Sequence, residues 1–178
     1  MGRDKALLPW RETDLLGHAV GRLREVTDDV RILCGSEPRY LDRGVPVETD
    51  LVPEAGPLAG VLTGLARAGS RPGLFLAVDL PLVPAALLAR LVELAGGADA
   101  VVPRSRRGSE PVCAVYGPAC REPIRRRLAA GDRRMSGFWP EVRVLEVGPE
   151  ALALFGDPDE IFRNLNTPAD LDGASREG

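Results

Sequence analysis

Leu74-Phe75-Leu76-Ala77-Val78-Asp79-Leu80-Pro81 decides the fold class. Five consecutive apolar residues, from Leu74 to Val78, show none of the polar alternation of a half-exposed strand. They describe a strand covered on both faces, inside a sheet layered between helices. Asp79 stands at its carboxyl end, and ligands of open α/β sheets bind beyond the carboxyl ends of the strands.

Working outward, short apolar strands alternate with helical patterns. Val30 to Cys34, Ala100 to Pro103, Pro111 to Tyr116 and Val142 to Val147 read as further strands. Leu15, Ala19 and Leu23, with Leu16 and Val20 beside them, give one apolar helix face. Pro84 to Ala95 carries proline at its start and Gly96-Gly97 as its stop. Arg121 to Ala130 ends at Gly131, and Thr167-Pro168 opens a last short helix. Such alternation predicts an α/β fold with a mostly parallel sheet and helices on both faces. One domain over residues 1–172 is expected, with a disordered tail at 173–178.

Composition narrows the function. The chain has 178 residues, 44% hydrophobic and 28% charged, with a formal net charge of -3. That length and apolar content suit one domain with a real core. Mixed charges and 4% aromatics argue against a nucleic-acid binder. No run reaches transmembrane length and no secretory signal opens the chain, so no membrane role and a cytoplasmic location are expected. Cys34, Cys113, Cys120 and the single His18 do not make a zinc set.

Several residues could carry chemistry, each beside a plainer reading. A carboxylate at a strand mouth, such as Asp79, suits magnesium, which takes one or two carboxylates and fills its shell with water and phosphate oxygens. Asp79 could instead cap the helix beginning near Pro84. Lys5, in Met1-Gly2-Arg3-Asp4-Lys5-Ala6-Leu7-Leu8, could hold triphosphate oxygens as a point charge, or be an ordinary solvated lysine. No G-x-x-x-x-G-K-S/T occurs, so the chain is not a P-loop protein. Gly56, Gly60 and Gly64 recur every four residues and leave a bare helix face, for a flat base or for tight packing. Gly56-Pro57-Leu58 opens that helix, where backbone N–H groups face an anion. Arg133 and Arg134 follow the stop at Gly131, on a connection an anionic substrate could reach, while the other arginines read as a solvated face. Asn164 and Asn166 offer neutral oxygen ligands and phosphate donors, or plain turn chemistry.

Together MGRDKALL, GPLAGVLTGL, VDLPLVP, EPVCAVY, AGDRRMSGFW and NLNTPADL resemble, in order and near spacing, the molybdenum-cofactor guanylyltransferases. The resemblance runs from Met1 to about Leu171. It implies a Rossmann-like nucleotidyltransferase that moves GMP from GTP to the phosphate of molybdopterin and releases pyrophosphate. It implies Mg2+ as cofactor, and a molybdoenzyme or cofactor chaperone as receiving partner. Carried over, Gly2, Lys5, Asp50, Gly56, Pro57, Leu58 and Asp79 would meet the nucleotide. Asp79 and Asn166 would bind the metal. Asn164, Asn166, Arg133 and Arg134 would face the acceptor. The family also has an apolar strand and an L-A-G-G-x-S-x-R loop before M-G-x-D-K, so the natural protein is expected to begin upstream of Met1. Rival readings are a cytidylyltransferase or sugar-phosphate enzyme of the same fold, and a non-catalytic cofactor-binding module.

Overall fold

The computed structural model describes residues 4–165 and 170–171. A hairpin of β1 (Pro9–Trp10) and β2 (Thr13–Asp14) leads into α1 (Leu15–Arg24). Then come β3 (Ile32–Leu33), β4 (Val47–Glu48) and α2 (Pro57–Ala68). β5 (Gly73–Leu76) and α3 (Ala85–Leu94) follow. The second half holds β6 (Ala100–Ser105), β7 (Gly108–Ser109), β8 (Cys113–Tyr116), α4 (Arg121–Ala129) and β9 (Val144–Val147). The short helices α5 (Pro149–Leu152) and α6 (Pro158–Ile161) close the described elements. The expected helix at Thr167-Pro168 and the tail at 173–178 lie outside the described residues.

Local chemistry sets the helix ends. The Asp14 carboxylate accepts from the Gly17 N–H at 2.8 Å, an N-cap for α1. α2 starts at Pro57 behind Gly56 and stops at Gly69, both glycines at positive φ. Proline suits the first helical position, and only glycine takes the left-handed stop without strain.

The main sheet runs β5-β8-β6-β7, with β9 on the other edge of β6. β8 lies antiparallel to both β5 and β6, so β5 and β6 point the same way, and β9 is parallel to β6. The α/β class and the helices on both faces agree with the sequence reading. The sheet is mixed, however, rather than mostly parallel. Parallel neighbours need a crossover of about a dozen residues or more. Between Ser105 and Cys113 the chain has room only for the β7 hairpin, so β8 must return antiparallel.

The period of two divides the core. Ala100, Val102, Ala114 and Tyr116 face the cluster built by α2 and α4. Val101, Cys113 and Val115 face the opposite cluster, with Leu87, Leu88 and Leu91 of α3. Cys34, Cys113 and Cys120 are all free thiols and all buried.

β3 and β4 form a separate parallel pair. Between β3 and β5 lies an apolar cavity of about 370 Å³. Because of it, Leu74 to Val78 are only half-buried, although a fully covered strand was expected.

Candidate active site

Residues 4–8 are folded onto the sheet mouth by their own hydrogen bonds. The Asp4 carboxylate accepts from the Ala6 N–H at 3.1 Å and starts a single helical turn, Lys5–Leu7. Leu15 N–H donates to the Leu8 carbonyl at 3.0 Å, which ties the segment to α1. Ala6 packs among Leu16, Val20 and Ile32. The turn therefore has little freedom, and Lys5 leaves it in one direction.

That direction is Asp79. Lys5 Nζ donates to Asp79 Oδ2 at 2.7 Å across 74 residues of sequence. The side chains keep 36% and 23% of their exposure, so the pair is open to an incoming ligand. Asp79 does not cap the following helix: α3 begins behind Pro84 with no side-chain cap. Nor is Lys5 an ordinary solvated lysine. Ala77 N–H donates to Val112 carbonyl at 2.9 Å and Leu80 is buried, so the backbone on both sides of Asp79 is fixed.

The asparagine segment reaches the same residue. Leu165 N–H donates to the Asp79 carbonyl at 3.0 Å. The Leu165 side chain is buried with Leu8, Trp10 and Leu15. Asn164, next to it, is exposed. Gly2 and Asn166 lie outside the described residues.

Asp50 occupies a second mouth, beyond β4. Its N–H donates to the Gly35 carbonyl at 2.7 Å, and Leu51 N–H donates to Thr63 Oγ1 at 2.9 Å. Asp50 Oδ1 is buried without a hydrogen-bond partner, and burial raises the pKa of the carboxyl. A Cβ on Gly60 would stand 3.8 Å from that oxygen, so the bare helix face opens toward Asp50 there. At Gly64 it is filled, because a Cβ would meet the Phe75 ring at 2.6 Å. Gly60 thus borders the candidate site, and Gly64 serves packing. Gly56 and Pro57 are exposed at the start of α2, while the Leu58 side chain is wholly buried and offers the site only its backbone.

The arginines stand apart. Arg134 is exposed and held by Asp132 at 2.8 Å, and Arg133 is exposed without a salt bridge among the described residues. Their loop packs through Met135 against the α2 and α4 cluster, and no hydrogen bond joins it to Lys5 or Asp79. His18 is structural: its Nε2 lies 2.9 Å from the Pro81 carbonyl and its ring meets Trp10 edge-on.

The sequence reading missed Asp4, Arg39 and Tyr40. The Tyr40 hydroxyl donates to Asp4 Oδ2 at 2.7 Å, and Arg39 reaches the same oxygen at 3.4 Å. No local signal marks a partner 36 positions away.

Residues 1–143 match the family of the MobA-like NTP transferase domain. The chain belongs to that family. One MobA-like relative, a probable molybdenum cofactor guanylyltransferase of Pelotomaculum thermopropionicum, is 35% identical over 171 residues, 96% of this chain and 83% of the relative. Among solved structures, molybdopterin-guanine dinucleotide biosynthesis protein A of Archaeoglobus fulgidus superposes with a TM-score of 0.80 at 22% identity, over 99% of this chain and 91% of that one. The 2-C-methyl-D-erythritol 4-phosphate cytidylyltransferase of Thermus thermophilus gives 0.70 at 20% identity, over 97% and 93%. These likenesses place the MobA-like chain in the nucleotidyltransferase fold. Among its described residues no helix is long and apolar enough to cross a membrane.

Proposed function

We propose that the chain transfers GMP from GTP to the terminal phosphate of molybdopterin and releases pyrophosphate. The observation that carries this is the convergence on Asp79. Lys5 meets its carboxylate, and the backbone of the Asn164-Leu165 segment meets its carbonyl. Relatives 30% to 36% identical over most of this chain bear the guanylyltransferase name, which supports guanine as the base and molybdopterin as the acceptor.

The donor set suits magnesium bound together with phosphate. Among the described residues no group of three or more His, Cys, Asp or Glu could hold a metal by itself. One rigid carboxylate, with water and substrate phosphates filling the shell, is the usual magnesium arrangement. Asp79 would hold the ion, with Asn166 as a neutral oxygen ligand. Bound there, magnesium would supply Lewis acidity and a template for the phosphates.

The protein's part is positioning and charge. The acceptor phosphate oxygen attacks the α-phosphorus of GTP as the bond to the pyrophosphate oxygen breaks. Lys5 offsets charge that builds on the departing pyrophosphate. Asp50 and the start of α2 at Gly56, Pro57 and Leu58 flank the nucleoside. Arg133, Arg134 and Asn164 are assigned to the acceptor. No side-chain nucleophile is required.

The test is direct. The purified chain is incubated with magnesium, molybdopterin and either GTP or CTP, and pyrophosphate release is followed. Dinucleotide product from GTP in preference to CTP is expected. Preference for CTP would move the chain to the cytidylyl readings. Tight molybdopterin binding without turnover of any nucleotide would favour a non-catalytic binding module.

A further inference from the structure

Glu110, at the head of EPVCAVY, is held at the same end of the sheet as Asp79. β8 enters between β5 and β6. Ala77 N–H donates to the Val112 carbonyl at 2.9 Å, just before Asp79 on one strand and just after Glu110 on the other. Glu110 N–H donates to the Pro103 carbonyl at 2.8 Å, near the carboxyl end of β6. Its own carbonyl accepts from Cys113 N–H at 3.0 Å. Both backbone groups of Glu110 are therefore fixed.

The side chain is half-buried and only partly satisfied. The hydroxyl of Ser105, a residue 3% exposed, donates to Glu110 Oε1 at 2.9 Å. Arg107 N–H donates to the same hydroxyl at 3.2 Å, so the β6–β7 hairpin orients the carboxyl group. Oε2 makes no hydrogen bond among the described residues and is open to solvent. Burial raises the pKa of the carboxyl, Ser105 and Arg107 oppose that shift, and Asp159 of α6 adds to it. A clip for the hairpin would need only one oxygen and no charge. A rigid, part-buried carboxylate with a free oxygen costs stability and suits a ligand.

Such a carboxylate matches two neighbouring N–H groups on a flat ring. In the proposed reaction two rings offer them: the pterin and guanine each carry a 2-amino group beside a ring N–H. Placement separates the two. Asp50, beside the nucleoside, lies beyond β4, which pairs with β3, and β3 borders β5 across the apolar cavity. The Arg39–Asp4 contact sets the carboxyl end of β3 beside Lys5 and Asp79. Glu110 lies on the other side of β5, with β8 and β6. The order along the sheet mouth is thus Asp50, Asp79, Glu110. α6, which carries Asp159 close to Glu110, leads on to Asn164, the residue assigned to the acceptor. Two strand spacings of ~4.8 Å put β6 about 10 Å from β5, room for an acceptor whose phosphate and ring edge stand at opposite ends. We infer that Glu110 is a specificity-determining residue for the acceptor: its carboxylate, oriented by Ser105, takes the 2-amino and ring N–H groups of the pterin. This rests on molybdopterin as the acceptor.

The experiment uses the whole chain and two pairs of probes. 6-Hydroxymethylpterin phosphate is compared with its lumazine counterpart, in which an oxo group replaces the 2-amino group. GTP is compared with ITP, which lacks that group on the nucleotide side. Dissociation constants are measured by calorimetry for the natural chain and for Glu110→Gln, which can keep the Ser105 contact but turns an amide N–H toward the ring. The natural chain should bind the pterin phosphate at least about tenfold more tightly than the lumazine. Glu110→Gln should cut that preference to about twofold or less, while any preference for GTP over ITP stays as in the natural chain. Dinucleotide formation from molybdopterin should show the loss mainly in KM for molybdopterin. If Glu110→Gln does not fold, Ser105→Ala, which frees the carboxyl group, should lower the pterin preference about threefold. An unchanged pterin preference in the folded variant used would overturn the inference. Loss of the GTP preference instead would give Glu110 to guanine and overturn it as well, as would failure of the natural chain to bind either pterin probe. Turnover separates this from the proposed function. A natural chain that makes dinucleotide, with KM for molybdopterin unchanged in Glu110→Gln, keeps that function and loses only the role of Glu110. A natural chain that makes none from molybdopterin loses the acceptor itself, and the role of Glu110 with it.

Discussion

The Tyr40 hydroxyl donates to Asp4 Oδ2 at 2.7 Å, and Asp4 starts the turn that aims Lys5. Tyr40 itself sits at φ 64, a left-handed conformation that a bulky residue seldom adopts. Burial first, and the Asp4 carboxylate second, push its pKa up to about 12, so the phenol keeps its proton at any working pH. Tyr40→Phe retains the ring and removes only the donor. A stability loss of about 1 kcal/mol is expected, typical of one net hydrogen bond. Nucleotide transfer should fall about tenfold as Lys5 loses its orientation, a barrier change of ~1.4 kcal/mol. Chemical denaturation and steady-state kinetics check both values, and an unchanged kcat would remove Tyr40 from the site.

Asp79→Asn keeps the shape at the strand mouth and discards the charge. Transfer should drop by at least about a hundredfold, as when a charge-stabilising group is lost. The dependence on magnesium concentration should shift upward, with circular dichroism unchanged. A folded variant turning over at the normal rate would end the metal assignment.

Asp50 should cost stability for the sake of binding. Its folded pKa is raised by burial, so the folded state holds the proton more firmly than the unfolded chain. The stability linked to that proton is fully present below the ordinary value of 3.8 and is lost as pH rises through the raised value. Asp50 Oδ1 is buried without a hydrogen-bond partner, and burial disfavours the charged form. Asp50→Asn should then raise the unfolding midpoint at pH 7 by about 2–4 °C for each kcal/mol relieved, while GTP binding weakens. The gain should shrink at pH 3. Calorimetry at the two pH values and a nucleotide titration separate these effects.

His18 gives the opposite pH dependence. Burial lowers its pKa from 6.5, so the neutral ring is the form that fits. Its contribution is present above 6.5 and is lost as pH falls through the lowered folded value. The midpoint difference between the natural chain and His18→Gln should narrow as pH drops from 7 to about 5. A difference that stays constant across that range would show that the ring does not titrate with unfolding.

Much of this architecture is legible in the residues. Leu74 to Val78 is apolar without alternation, and Pro84 with Gly96-Gly97 brackets α3, so strand and helix are found within a residue or two. The reversal of β8 is a different case. PVCAVY carries no direction, and only the short span after Ser105 contains that information. Asp79 and Lys5 can be suspected singly, but nothing local says that they touch. Arg133 and Arg134 look alike on paper, while Asp132 takes hold of only one of them. Tyr40 is invisible to periodicity, because its partner is reached through a loop with no repeat.

The buried thiols make the surface chemically quiet. Burial pushes Cys120 up to about 12 and Cys113 higher still, and Cys34 is enclosed against the Glu37 and Glu48 carbonyls. Alkylating reagents must reach the sulfur, and all three cysteines are buried. A single cysteine engineered at an exposed position, such as Leu154 at 83% exposure, would react alone. The natural background of exposed thiols should be low, because all three cysteines are buried. A fluorophore or spin label could be attached there in one step, and its surroundings followed in solution as nucleotide is added.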